Sequence, residues 1–268
     1  MLKDRPKTIK TDVAWTDSEA GAKFLHHIFV RASAKGVKFT NVDFRYSTFE
    51  AAYFRDCAFD SCDFTGCRFV SGNFHGSHFT GCTFDYAIFE RTQIDPNILD
   101  TCCPSRENIK ARFAQVLRVN YQSIGDAVAA SKAIVVELNA TGEHLFKAWH
   151  SNESYYRKKW KSLKRAVVFF EWFHFRLMDA VWGNGEKPAK LLYCAFLVLL
   201  VIAIADGCFH RDPDLVRSYW EAAQDAPSVF LGISSSKFSS GALTAIALAR
   251  LLLFALFVSV IVRRYSRR

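Results

Sequence analysis

Large apolar residues recur at every fifth position early in this chain: Phe39, Phe44, Phe49, Phe54, Phe59, Phe64, Phe69, Phe74, Phe79, Phe84 and Phe89, with Ile94 and Leu99 continuing the phase. Two positions before nearly all of them stands a small or β-branched residue, from Val37, Val42 and Ser47 through Cys57, Cys62, Cys67, Gly72, Ser77 and Cys82 to Ala87 and Thr92. The positions between are mostly polar. A period of five fits neither the 3.6-residue turn of a helix nor the two-residue alternation of a strand. It fits a chain that turns a square corner every five residues, each side sending one large and one small residue inward. Four sides make a coil of roughly twenty residues, and coils stack at the strand spacing of about 4.8 Å. Residues twenty apart are then expected in columns, Phe39, Phe59, Phe79 and Leu99 in one, and Phe44, Phe64 and Phe84 in the next. The small partner follows from space, because so narrow an interior has no room for two large side chains on each side.

Around this block the pattern changes. Thr16 and Glu19 have capping-box spacing ahead of Ala22, Phe24, Leu25 and Ile28. Residues 1–30 are therefore expected to form a polar tail and a short helix that closes the open end of the coils. The repeats occupy 31–100. Pro96 and then Cys102-Cys103-Pro104-Ser105 break the phase and mark a boundary. Ile109, Phe113, Val116, Leu117 and Tyr121 lie on one face of a helix, and a second apolar stripe from Val128 to Trp149 follows Gly125. Residues 101–150 thus predict a helical pair packed on itself or on the lower end of the coils. Residues 151–188 are basic and aromatic, with Arg157, Lys158, Lys159, Trp160, Lys161, Lys164 and Arg165 ahead of an aromatic run. Residues 189–263 hold two apolar segments, Leu191–Ala205 and Gly241–Val262, around an outer loop at about 207–240, and residues 264–268 form a basic tail.

The five-residue phase resembles the pentapeptide-repeat family, and the likeness covers roughly residues 28 to 100. It implies a right-handed quadrilateral β-helix. The fold class expected of the whole chain is mixed, with this β-helix followed by an α-helical connector and two transmembrane helices. Some members of the family act as DNA mimics that inhibit topoisomerases, a role that needs a strongly acidic rod. Residues 36–100 carry five basic and nine acidic side chains in a protein of net charge +9, so the remainder holds +13. That balance argues against mimicry. The C-terminal part resembles the pore unit of two-span ion channels and the channel-like ends of membrane-bound pentapeptide-repeat proteins. Trp182-Gly183-Asn184-Gly185-Glu186-Lys187-Pro188 is similar to their Gly-aromatic-Gly-Glu-x-Pro signature, with Asn184 replacing the aromatic. Ala226 to Gly232 reads as a short re-entrant or interfacial helix. Where a potassium filter needs a ring of backbone carbonyls, this chain has Gly232-Ile233-Ser234-Ser235-Ser236-Lys237-Phe238, so potassium selectivity is not implied.

Charge and chemistry refine the picture. Basic and aromatic residues between 155 and 178 suit nucleic acid or an anionic membrane surface, and the apolar segments that follow favour the membrane. Lys187 and Lys190 precede the first span, while Arg263, Arg264, Arg267 and Arg268 follow the second. The loop between carries three basic residues against five acidic ones. Both termini are expected in the cytoplasm of a bacterial cell, with the chain in the inner membrane. The start of the chain shows no apolar signal segment. Arg250 falls within the second apolar segment. It lines a pore or pairs with Asp206 of a neighbour, or else it snorkels outward from a span that starts near Leu251 after a short preceding helix. The cysteines lack metal-ligand spacing, and four of them occupy small inward positions as apolar fillers, with Cys62 and Cys82 in one column. His26, His27, His75 and His78 lack carboxylate or thiol partners at useful spacing. No cofactor, metal or catalytic set is expected. These features point to a membrane-anchored scaffold that offers its rod to an unknown protein partner on the cytosolic face. The other reading is a homo-oligomeric, channel-like or membrane-perturbing effector with a pore that is not potassium-selective.

Overall fold

A computed structural model describes residues 7–161, 163–233 and 238–265, without the side chains of 263–265. It divides into two compact units, Met1–Phe169 and Phe170–Arg268.

The first unit is built on a parallel β-solenoid. One side stacks the strands Thr8–Thr11, His27–Val30, Thr48–Glu50, Arg68–Val70 and Ile88–Glu90. A second stacks Glu19–Ala20, Lys38–Thr40, Ala58–Asp60 and His78–Thr80, and a third Ala14–Trp15, Ser33–Lys35 and Tyr53–Arg55. The fourth is held by isolated bridges such as Asp43 to Asp63 and Asp63 to Thr83. From Phe39 onward each residue pairs with the residue twenty later, as Phe39 does with Phe59. The rings stack in the expected columns: Phe39 on Phe59 at 4.9 Å, Phe59 on Phe79 at 4.9 Å, and Phe44 on Phe64 at 5.1 Å, nearly parallel in each case. These stacked pairs each add about 0.5–1.5 kcal/mol to the burial of the rings.

The corners explain the period. Two residues after each large inward residue, from His26 to Arg91, the backbone adopts positive φ, as at Tyr46 (60°), Ser61 (55°) and Gly76 (72°). His, Arg, Asn, Tyr, Ala, Asp, Ser and Gly fill these sites, and none is β-branched, the class for which this conformation costs most. The next corner would fall on Pro96, whose ring holds φ near −65°. There the solenoid stops.

Small inward residues also carry hydrogen bonds. Ser47 Oγ donates to Phe24 O at 2.6 Å, Ser77 Oγ to Phe54 O at 3.0 Å, and Cys67 Sγ to Phe44 O at 2.9 Å. Burial holds the Cys67 thiol far above the ordinary thiol range. Cys62, Cys82 and Cys102 form one column in the same manner, their thiols on Phe39 O, Phe59 O and Phe79 O. The Cys82 thiol is pushed strongly upward by hydrogen bonding to Cys102 and Cys62 and by burial, so it stays protonated.

The expected N-terminal helix is not formed. Residues 8–30 make a further coil, and Thr16 Oγ1 turns to Asp17 instead of capping a helix. Stacking on the coil below overrides the local helix signal, a tertiary gain that propensity does not see. The phase also slips by one residue here, Trp15 pairing with Ala34 nineteen positions on. Trp15 fills the space that Ala34 leaves empty, its ring 5.4 Å from Phe29 and 5.7 Å from both Phe39 and Phe54.

At the other end α1 (Ile98–Thr101) leads into α2 (Glu107–Ser123) and α3 (Ala127–His150), which pack on each other. Phe113 of α2 sits 5.9 Å from Phe84 and 6.2 Å from Phe89, continuing the aromatic core. Arg118 to Glu137 at 2.7 Å and Lys147 to Glu107 at 3.2 Å tie the two helices. After these come α4 (Ser154–Lys159) and α5 (Leu163–Trp182), the latter running across the division between the units.

In the second unit, Gly183 (φ 64°), Asn184 (φ 52°) and Gly185 (φ 89°) break the chain before α6 (Pro188–His210). Asn184, like Gly, tolerates this backbone region. Then come α7 (Val216–Leu231) and α8 (Ser240–Tyr265). Both α6 and α8 are long and apolar enough to cross a membrane. Within their apolar windows only 22% and 6% of the residues are buried.

Candidate functional site

The basic-aromatic segment divides into two faces. Arg157, Lys158, Lys159, Lys161 and Lys164 are exposed, and none takes part in an ion pair among the described residues. Trp160 and Arg165 turn inward instead. Trp160 packs with Ala148, Tyr156 and Val168, its ring 5.5 Å from His144 and 5.8 Å from Tyr156. Arg165 Nε donates to Trp149 O at 2.8 Å, at the end of α3. Lys159 Nζ lies 4.3 Å from the centre of the Trp160 ring, so this ring joins the lysines to the core. Exposed Leu163 and Val167 adjoin the lysines on α5. That is the make-up of a helix suited to an anionic, partly apolar surface.

The solenoid surface carries its own feature. The eleven core phenylalanines from Phe39 to Phe89 are all buried, leaving the corners to meet solvent. His26, Tyr46, Gly66 and Tyr86 share one corner column. The His26 and Tyr46 rings stack at 5.2 Å, while Tyr46 and Tyr86 remain 49% and 52% exposed. Gly66 makes room for Tyr46: a Cβ there would lie 2.6 Å from the ring. Arg45 pairs with Asp43 at 2.7 Å and with Asp63 at 3.6 Å beside this column. Exposed tyrosines edged by charge are the residue types enriched at protein interfaces. His75 and His78 lie exposed, as their phase requires.

In the second unit α7 folds back along α6. Its Ala222 and Ala226 are buried with Ile202 and Ala203, and a Cβ on Gly207 would meet the Tyr219 ring at 2.6 Å. Arg211 locks the turn, its guanidinium reaching Asp206 at 2.7 Å, Glu221 at 3.2 Å and Asp225 at 2.5 Å. Hydrogen bonds to Asp206 and Asp225 raise the Arg211 pKa above its usual value. Asp206 is therefore engaged within its own chain by Arg211, with His210 Nδ1 3.6 Å away. Among the described residues it makes no ion pair with Arg250 of its own chain.

Arg250 is the eleventh residue of an unbroken α8, so the short separate helix expected before Leu251 is absent. Its Nη1 donates to Phe230 O at 3.3 Å and to Leu231 O at 2.5 Å, the last carbonyls of α7. Gly232 (φ 73°) ends α7, with Gly232 N on Val229 O and Ile233 N on Ser228 O. Around the guanidinium lies an apolar groove of about 390 Å³, lined among others by Leu191, Leu192, Phe254 and Phe257. In such surroundings a cation needs partners, and the carbonyl end of a helix carries partial negative charge. α7 is longer than the expected helix at 226–232, starting ten residues earlier. Residues 234–237, where a channel of this kind would hold its filter, and residues 266–268 lie outside the described residues, as do the side chains of 263–265.

Among the described residues, no group of three or more His, Cys, Asp or Glu is placed to hold a metal, and all eight cysteines are free thiols. Two features escaped the sequence reading. Asn120 is buried on α2, its side chain accepting from Thr92 N at 2.8 Å and donating to Thr92 O at 2.7 Å. An Asn on an amphipathic helix gives no sign of such a role. The Arg250 clamp was equally hidden, because nothing in the spacing placed α7 beside α8.

The profile of the pentapeptide repeat region matches residues 32–102, and this segment is a pentapeptide-repeat β-helix. No curated protein matches the chain. Two solved structures of trypsin-treated variants of QnrB1, a plasmid-mediated fluoroquinolone resistance protein, overlap part of it. The first is 15% identical over 34% of this chain and 64% of QnrB1, with a TM-score of 0.22. The second is 18% identical over 32% and 56%, with a TM-score of 0.11. The match thus spans less than two thirds of QnrB1, and the coil geometry above stands without it.

Proposed function

We propose that this pentapeptide-repeat chain is a membrane-anchored scaffold whose β-helix presents a polar surface to a protein partner on the cytosolic side. One observation carries the reading: the chain joins a closed-core solenoid to two long apolar helices that its own fold leaves largely uncovered. Lysines at 158, 159, 161 and 164 add a surface suited to anionic lipid, and the tyrosine corner of Tyr46 and Tyr86 is the contact face offered to the partner. Scaffolding asks for no catalytic group. In the test, the full-length chain is expressed in bacteria and its membranes are washed with alkaline carbonate. The chain should stay with the membrane, and a reporter fused after Arg268 should be cytosolic. A photo-crosslinking residue at Tyr86 should capture one protein that the same residue at His78 does not. Release by carbonate, or an external reporter, would overturn the anchor or its orientation. Equal capture from both positions would overturn the contact face.

The fold of α7 along α6 favours a second reading, an oligomeric channel-like unit. Discrete currents from the purified chain in a planar bilayer, altered by Arg250→Ala, would promote it. Silence from correctly inserted protein would leave the scaffold.

A further inference from the structure

Arg250 uses only part of its guanidinium. Nη1 donates to Phe230 O and Leu231 O at the carbonyl end of α7, whereas Nε and Nη2 have no partner among the described residues. Those two nitrogens form the edge that presents parallel N–H donors, the one that grips a carboxylate or phosphate with two bonds. The backbone is shaped for this placement. A Cβ on Gly232 would lie 2.9 Å from Nη1, so a side chain there would push the guanidinium away.

Around the free edge the walls are apolar. The groove of about 390 Å³ is lined by Leu191, Leu192 and Ala195 of α6 and by Leu251, Phe254 and Phe257 of α8, besides the end of α7. Its size falls in the range of small-molecule sites. Leu192, Leu251 and Phe254 are exposed, so the groove opens outward. Among the described residues that line it, Arg250 is the one charged group.

A cation with unused donors in such walls calls for an anion, because a charge away from water is costly until it is paired. The walls themselves call for a hydrocarbon chain. An amphiphile with an oxyanion head supplies both. A fatty-acid carboxylate meets the first demand poorly, since apolar surroundings favour its protonated form. A phosphodiester stays charged. Choline and ethanolamine headgroups carry a cation of their own, which competes with Arg250 for the phosphate. An anionic phospholipid is left. The position agrees with it: Leu191 and Leu192 stand at the start of α6, directly after Lys187 and Lys190. With α6 as a span, that is its cytosolic edge, and a long arginine side chain there reaches towards the headgroups. Basic pockets between spans on this side of a membrane suit anionic headgroups.

We propose that this groove binds one anionic phospholipid, its phosphodiester on the Nε–Nη2 edge of Arg250 and an acyl chain along Leu192, Leu251 and Phe254. The inference rests on the membrane reading above and concerns a site separate from the lysines at 158–164.

Its test places the full-length chain in phosphatidylcholine vesicles that hold a small share of phosphatidylglycerol with a photoreactive acyl chain. Parallel samples carry the same chain on phosphatidylcholine or as a free fatty acid, and labelled peptides are mapped by mass spectrometry. Phosphatidylglycerol should label 191–195 and 251–257 at least about five-fold more than phosphatidylcholine does, the scale of one charge-assisted contact. Exposed Val201 and Ile204 on α6, which meet bulk lipid, should be labelled alike by both. Arg250→Lys keeps a cation but loses the two-donor edge, and should bring the groove ratio below about two-fold. Ala195→Trp leaves Arg250 in place, fills the groove and should act in the same direction. Equal labelling of the groove by both phospholipids, or a ratio unchanged in the variants, would overturn the proposal. So would labelling by the fatty acid as strong as that by phosphatidylglycerol. Wild type and both variants are first checked for retention after a carbonate wash, and the ratio is read in those retained. Release of the wild-type chain would overturn the anchor itself, a failure distinct from unselective labelling of a retained chain.

Discussion

Asn120 closes the lower end of the solenoid by standing in for the strand that would otherwise come next. Its carboxamide pairs with both backbone groups of Thr92, and both residues are buried. Replacing it with alanine leaves a buried N–H and a buried C=O without partners. Each such group costs about 1–3 kcal/mol, so the last rung should lose roughly 2–6 kcal/mol of local stability. At 1.4 kcal/mol per factor of ten, amide exchange in the peptide 88–96 should accelerate roughly thirty-fold to twenty-thousand-fold. Exchange in 48–60, higher in the stack, should change far less. Asn120→Asp supplies a signed control. A carboxylate accepts from Thr92 N but cannot donate to Thr92 O, and burial without a cation raises the folded pKa above the free value of about 3.9. Below that value the protonated carboxyl supplies the missing donor, and protection relative to wild type at the same pH should be nearly kept. As pH rises through about 4 towards the raised folded pKa, protection should fall, then level off. If Asn120→Ala changes exchange of 88–96 by less than about three-fold, the end is held by Phe113 packing alone and the capping argument is wrong.

The solenoid and the helix beneath it supply further outcomes. Ala34→Phe restores the repeat pattern yet should destabilise by about 1–3 kcal/mol in thermal unfolding, because the Trp15 indole already fills that space. Trp15→Ala should cost less in the Ala34→Phe background than in wild type, and additive losses would show that the two positions do not share a space. Gly66→Ala should cost more than Gly36→Ala, since both have positive φ but only the former meets the Tyr46 ring, and equal melting shifts would deny that contact. Tyr121→Phe should be neutral or stabilising by up to about 1 kcal/mol. Its buried hydroxyl has no partner among the described residues, and burial first, then Asp95 and Asp126, pushes its pKa well up. A loss above 1 kcal/mol would reveal a bound water or another acceptor.

The solenoid was legible from sequence because its period is rigid and its core is one residue type. The coil at 8–27 was not, for three local reasons. Trp15 is one residue out of phase, Ala34 stands where a phenylalanine was due, and Thr16 with Glu19 imitates a helix start. The two long apolar helices were legible from composition, since length and scarcity of charge suffice. The path of α7 was not, because packing of Ala222 and Ala226 on α6 depends on small residues that read equally well as loop or surface. Arg250 could be marked as costly by its setting, but the carbonyls that receive it became visible only with α7 in place.

Corners at every fifth residue make chain length an angular measure. Twenty residues inserted between Thr11 and Pro96 in the same pattern would add one coil, raise everything below it by about 4.8 Å, and leave each face in register. Five residues would instead swing α2 and α3 a quarter turn about the solenoid axis, carrying Asn120 and Phe113 to the next side. Insertions in this family of coils are thus rotations as much as extensions. The direction in which the tyrosine corner faces is set by counting residues, with no hinge and no change in the core.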